Sequence, residues 1–170
     1  MGQSMERVLS VANKLLSVRG AIDITDGEGR LAYRGKGQFA AFSPTWRVYR
    51  GDDQVGTIRR RLLSWAPTWD VKGELGAFQI KRKLLSFTRQ YYAVGGPGAG
   101  AIVTGNLWDF KFQVTRRGAT LAKARGRLIT MRDRHDVEIY SGPELFVVFA
   151  MLVLQMDRRD ERRKEKLDRE

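Results

Sequence analysis

The chain has 170 residues, 42% of them hydrophobic and 29% charged, a balance that suits one globular domain with a core of its own. It contains no cysteine, which excludes disulfides, thiolate nucleophiles and cysteine-ligated metal. A formal net charge of +12 points to polyanionic partners, either nucleic acid or an anionic membrane surface.

At the N-terminus, residues 1–6 lack a basic segment followed by an apolar core, so no secretory signal is read. Gly2 does not complete a myristoylation motif, because Glu6 stands where that motif needs Ser or Thr. Residues 1–14 read as a lead-in, 15–156 as a single domain and 157–170 as a charged tail. The first predicted hairpin joins residues 21–25 and 30–34 through Asp26-Gly-Glu-Gly29; the second joins 46–49 to residues from 54 onward through Arg50-Gly-Asp-Asp53. Further strands are predicted at residues 69–72, 77–83, 90–94, 101–104, 111–115, 120–127 and 137–140, most of them separated by glycine-bearing turns. Many short strands at this spacing indicate an all-β sandwich or barrel.

The strand region repeats itself. Trp46-Arg-Val-Tyr-Arg-Gly-Asp-Asp-Gln-Val55 leads into Ile58-Arg-Arg-Arg-Leu-Leu-Ser64 and ends at Trp69-Asp-Val71. Sixty-six positions later, Phe112-Gln-Val-Thr-Arg-Arg-Gly-Ala-Thr-Leu121 leads into Ala124-Arg-Gly-Arg-Leu-Ile-Thr130 and ends at His135-Asp-Val137. Between the two, Ile80-Lys-Arg-Lys-Leu-Leu-Ser86 restates the middle of the unit.

The end of the chain departs from this pattern. Ser141-Gly-Pro-Glu144 has the form of a capping box, and Leu145-Phe-Val-Val-Phe-Ala-Met-Leu-Val-Leu154 is apolar on every side. A helix apolar all round is buried in protein or in lipid. A membrane span needs about 20 apolar residues, and this run is bracketed by Glu144 and Asp157, so a buried core helix over residues 142–156 is expected. Residues 157–170 carry mixed charges without consistent i,i+4 pairing. They are expected to form a solvated helix extension that frays into disorder, leaving the excess positive charge on the β region.

These residues together resemble the LURP-one-related family of the tubby-like and phospholipid-scramblase superfamily. The matching elements are Ile22-Asp-Ile-Thr-Asp-Gly-Glu-Gly29 with Tyr33, the hairpin ending Ile58-Arg-Arg-Arg-Leu-Leu-Ser64, Gly105 before Phe112-Gln-Val114, and Asp136-Val-Glu-Ile-Tyr140 leading into the apolar helix. The resemblance covers roughly residues 15–156. It implies a closed antiparallel twelve-stranded barrel threaded by the C-terminal helix, in a superfamily associated with membrane tethering, phosphoinositide binding and lipid movement. The proline-rich N-terminal region, palmitoylated cysteines and acidic calcium segment of scramblase-like members have no counterpart here, so neither scrambling nor calcium binding is carried over.

The basic triplets are the strongest candidates for a site. If each lies on a strand, Arg59, Arg61, Lys81, Lys83, Arg125 and Arg127 share one face and form a stripe able to hold phosphates. The competing reading is outer-face charge in water, copied when the hairpin was copied. Trp65, beside Pro67 in a loop, is the aromatic expected to contact a membrane or partner; Trp46, which recurs as Phe112, reads as a packing residue. Gly95-Gly-Pro-Gly-Ala-Gly100 lacks the Gly-Lys-Ser/Thr of a phosphate-binding loop. His135, the one histidine, has no nucleophile and orienting carboxylate to work with, since Asp133 and Asp136 flank it along a strand. Asp23, Asp26 and Glu28 are turn chemistry rather than a metal loop. The sequence therefore predicts a non-enzymatic barrel without cofactor, cytoplasmic or peripheral at the membrane. Its basic surface is expected to bind anionic phospholipid headgroups or phosphoinositides, with a nucleic-acid-binding module or a protein-interaction scaffold as the alternatives.

Overall fold

Apolar side chains at alternate positions put one face of a strand into a core and the other into water. The computed structural model describes residues 7–12, 20–38, 44–106, 111–126 and 134–169. Its strands are β1 (Arg7–Ala12), β2 (Ala21–Asp26), β3 (Leu31–Gln38), β4 (Thr45–Arg50), β5 (Asp53–Arg61), β6 (Thr68–Gly73), β7 (Gly76–Arg82), β8 (Gln90–Val94), β9 (Ala101–Asn106), β10 (Lys111–Arg116), β11 (Ala119–Gly126) and β12 (Arg134–Ile139). A single helix, α1 (Glu144–Leu167), follows them. Each strand pairs antiparallel with the next and β1 pairs with β12, so the sheet closes into the expected twelve-stranded barrel and leaves no free edge.

The alternation is plain in β4, where Trp46 and Val48 are buried and Arg47 between them is exposed. Trp46 lies opposite Ile58, and the β4–β5 register shifts after Val48. In β10 and β11 Phe112 lies opposite Ala124 and the register shifts after Val114, the positions that the 66-residue offset aligns.

The barrel is filled. Every residue from Leu145 to Leu154 is buried in one cluster with the inward residues of the strands. Phe78 packs its ring 5.8 Å from Phe146 and 6.0 Å from Phe149. Two glycines give these phenyl rings their space: a Cβ at Gly56 would lie 2.5 Å from Phe149, and one at Gly98 would lie 2.1 Å from Phe146. Gly98 belongs to the glycine-rich connection between β8 and β9, which therefore packs over the first turns of α1.

Three expectations change. The lead-in contains the strand that closes the barrel, with Leu9 opposite Val137 and Val11 opposite His135. Two inward residues are too few to mark a strand by pattern, and the partner that fixes it is the last strand in the order. The capping box does not form: α1 begins at Glu144 behind Pro143, with no side-chain cap. Gly142, at φ 83°, turns the chain first, and the Glu144 carboxylate instead accepts from Tyr33 Oη at 2.7 Å and pairs with Arg7 Nε at 3.0 Å. Finally, the helical extension past residue 156 does not fray: Asp157 is buried, and α1 runs 24 residues to Leu167. That is about 36 Å of helix against about 20 Å for a six-residue strand, so its last turns stand clear of one end of the barrel. No helix among the described residues is long and apolar enough to cross a membrane.

Candidate functional site

Where α1 leaves the barrel, the inward positions become polar. Alternation that points Ile58 and Ile80 inward also points Arg60 and Arg82 inward, two residues further along β5 and β7. They meet the acidic residues of the helix. Asp157, 1% exposed, accepts from Tyr91 Oη at 2.5 Å and from Arg82 Nη1 at 2.9 Å. Glu161 receives Arg82 at 2.8 Å and Arg89 at 2.5 and 2.6 Å, and Arg60 pairs with Asp160. This cluster is what sustains the helix past residue 156, because its partners come from the strands and the β7–β8 loop rather than from i,i+4. The sequence reading took the outer members of each triplet and missed the central arginines. The signal was present: Arg60 and Arg82 share parity with the isoleucines before them.

Two tyrosines in the core titrate abnormally. Burial, with Glu144 beside it, pushes Tyr33 up to about 12, and burial with the Asp157 charge pushes Tyr91 up as well. A raised folded-state pKa gives stability that is whole below the ordinary tyrosine value of about 10 and is lost as pH rises through the folded value. The urea midpoint should accordingly fall between pH 10 and 12, by less in a Tyr33→Phe/Tyr91→Phe variant. Equal slopes in the two proteins would contradict this.

Outside, the predicted stripe divides. Arg59 and Arg61 on β5 lie opposite Asp70 and Thr68 of β6, and Lys81 of β7 lies opposite that same Thr68. Two strand spacings, about 10 Å, thus separate the β5 and β7 basic residues, and Lys83 follows at the end of β7. Asp70 lies within the set, accepting from Arg61 Nε at 2.7 Å and Gln79 Nε2 at 2.8 Å. Partial burial raises its pKa, but these two donors outweigh that and hold it below the usual carboxylate range. Arg125 is elsewhere: β8, β9 and β10 intervene between β7 and β11, where Arg125 lies opposite Asp136 of β12 in the strand register. A six-residue stripe is therefore not assembled, because barrel closure carries β11 to the wall opposite β5. Arg127 lies outside the described residues.

Both basic strands run directly into exposed apolar loops. Arg59-Arg-Arg-Leu-Leu-Ser-Trp65 and Lys81-Arg-Lys-Leu-Leu-Ser-Phe87 leave the same end of the barrel, because β5 and β7 are both antiparallel to β6. Leu63 and Trp65 are 100% exposed, Leu85 is 91% exposed, and Phe87 is fully exposed. The loops share a local form: Ser64 Oγ donates to Ala66 O at 2.7 Å, and Ser86 Oγ donates to Thr88 O. The Arg82 N–H donates to Pro67 O at 2.9 Å, hooking the first loop to the strand that feeds the second. The protruding end of α1 emerges beside them, with Arg162, Arg163, Lys164 and Lys166 exposed along with Glu165 and Asp168.

The remaining candidates resolve as structure. His135 is buried in β12, in step with Val137 and Ile139, while Asp136 alternates away and accepts from Ser10 Oγ at 2.6 Å. Asp26 accepts from the backbone of Glu28 and Arg30, as turn residues do. No group of potential metal ligands occurs among the described residues. An open cavity of about 590 Å³ at the far end of the barrel is lined by Arg7, Tyr33, Arg50, Glu74 and Glu144. Its charges are paired with one another, Arg7 and Tyr33 on Glu144 and Arg50 on Glu74, so it is the seat of the helix N-terminus.

A closed twelve-stranded barrel around one C-terminal helix places the chain among tubby-like barrels. It belongs to the LURP-one-related family, whose model matches residues 7–155. The fold is similar to that of an Arabidopsis thaliana protein solved by X-ray crystallography, with TM-score 0.64, 16% identity, and 92% of this chain and 94% of that one covered. No curated protein matches the chain.

Proposed function

We propose that this protein is a non-enzymatic module that docks on anionic phospholipid surfaces, phosphoinositide-containing ones included, at the cytoplasmic face of a membrane. The observation that carries this reading is the gathering of Arg59, Arg61, Lys81 and Lys83 at the barrel end from which the basic tip of α1 also emerges. A planar anionic surface can meet all of these groups at once. The filled interior supports a binding rather than a catalytic role, because α1 occupies the space in which a barrel would hold a substrate.

Each Lys or Arg near an anionic leaflet contributes roughly 1 kcal/mol of attraction. Replacing Arg59, Arg61, Lys81 and Lys83 together with alanine should lower the partition coefficient onto phosphatidylserine or phosphoinositide vesicles by about 100-fold, less than full additivity because Arg61 is already paired with Asp70. Co-sedimentation at low and physiological salt, with neutral vesicles and RNA as competitors, is the check. Release of the protein by RNA would favour a nucleic-acid ligand, and undiminished pelleting of the alanine variant would remove the basic surface from the account.

A further inference from the structure

Large apolar side chains at the surface usually lean on their neighbours. Leu63, Trp65, Leu85 and Phe87 do not; they stand in water at the tips of two adjacent loops, with Leu62 and Leu84 more than half exposed behind them. The same seven-residue pattern, basic-Arg-basic-Leu-Leu-Ser-aromatic, produces both. We infer that the twin loops 62–67 and 83–89 form a paired wedge that inserts these four side chains into the interfacial zone of an anionic bilayer.

Three features select a bilayer as the occupant. Basic residues immediately precede each tip, so charge attraction and apolar insertion can act on the same membrane, and membrane affinity of this kind is the sum of both. A protein interface core is instead depleted in charge and presents a contiguous, supported patch, whereas these tips are separate points, and a fluid surface can admit points. Tryptophan and phenylalanine also suit the depth: Trp settles at the headgroup boundary, and Leu and Phe are favourable in the hydrocarbon just below. The first loop is tied through Pro67 O to the Arg82 N–H at the end of β7, the strand that feeds the second loop, so the two leave the barrel side by side.

The inference rests on the anionic-surface reading, and the experiment separates the two. The probe is a vesicle of phosphatidylcholine with phosphatidylserine, with and without brominated acyl chains, and the variants are Trp65→Phe and the fourfold Leu63→Ser/Trp65→Ser/Leu85→Ser/Phe87→Ser. All four positions are exposed, so thermal midpoints should not fall, which confirms folded variants. Of the four tryptophans, Trp46 and Trp69 are buried and Trp108 lies outside the described residues, so the part of the vesicle response that Trp65→Phe removes is that of Trp65. Wild type should shift to shorter wavelength and be quenched by bromolipid, and Trp65→Phe should bind but lose that response. The serine variant should partition about 100-fold more weakly, since several apolar side chains lose their burial. Binding to anionic vesicles that is unchanged by the serine substitutions, with no emission shift, would overturn the wedge and leave the basic surface standing. No binding to anionic vesicles by wild type would overturn both. Self-association of wild type that the serine substitutions abolish, without vesicle binding, would assign the tips to a second copy of the chain instead.

Discussion

Truncation after Tyr140 should abolish cooperative folding. Residues 145–154 contribute Leu, Phe, Val, Ala and Met side chains, each buried on all sides by the strands. Full burial of a large apolar side chain is favourable by about 1.5–3 kcal/mol, so the run contributes roughly 15 kcal/mol or more, as much as the whole net stability of an ordinary domain. Its loss also uncovers the inner face of the barrel, where Trp69, Ile58, Tyr91 and their neighbours would meet water. Circular dichroism against temperature should show no sigmoidal transition, and the fragment should bind a hydrophobic dye and aggregate. A soluble fragment with a single sharp transition would mean that the strands hold together without the helix.

The second large effect is expected from one carboxylate. Asp157→Ala should destabilise the protein by about 3–5 kcal/mol, because it leaves the half-buried Arg82 charge and the buried Tyr91 hydroxyl without their principal acceptor. Glu161 still receives Arg82, which places the effect toward the lower part of that range. The triple change Asp157→Leu/Arg82→Met/Tyr91→Phe removes the polar groups together and should recover most of the loss, as apolar replacement of buried ion pairs often does. Urea unfolding measures both. A loss under about 1 kcal/mol for Asp157→Ala would show that the cluster behaves as a surface ion pair. The change should also free the outer turns of α1, read as faster amide exchange from residue 158 onward.

The fold was legible wherever the decisive contact was local. Hairpins such as β4–β5 announce themselves through Arg50-Gly-Asp-Asp53 and alternation, and the apolar run before Asp157 announces a buried helix. What stayed hidden depended on partners distant in sequence. β1 is a strand because β12 is there to receive it. The outer turns of α1 are ordered because Arg60, Arg82 and Arg89 arrive from two strands and a loop. The same holds for the site. Alternation assigned Arg59, Arg61, Lys81 and Lys83 to one face, and the β5–β6–β7 register brings them near one another. It could not report that closure sends Arg125 to the opposite wall. The sequence marks Trp65 as exposed; Phe87, which directly follows the second Leu-Leu-Ser, lies just beyond the segment the repeat defines.

The pairing of β1 with β12 fixes an order of events during synthesis. The strand that seals the wall is made before the other eleven, its partner is made after them, and the filling follows later still. At ribosomal speeds of about 5–20 residues per second, the apolar residues of the early strands therefore wait on the order of ten seconds for their helix. Contacts that span nearly the whole chain then close slowly. Strand residues that the helix will cover are open to other chains in that interval, which makes aggregation during synthesis the main competitor of folding.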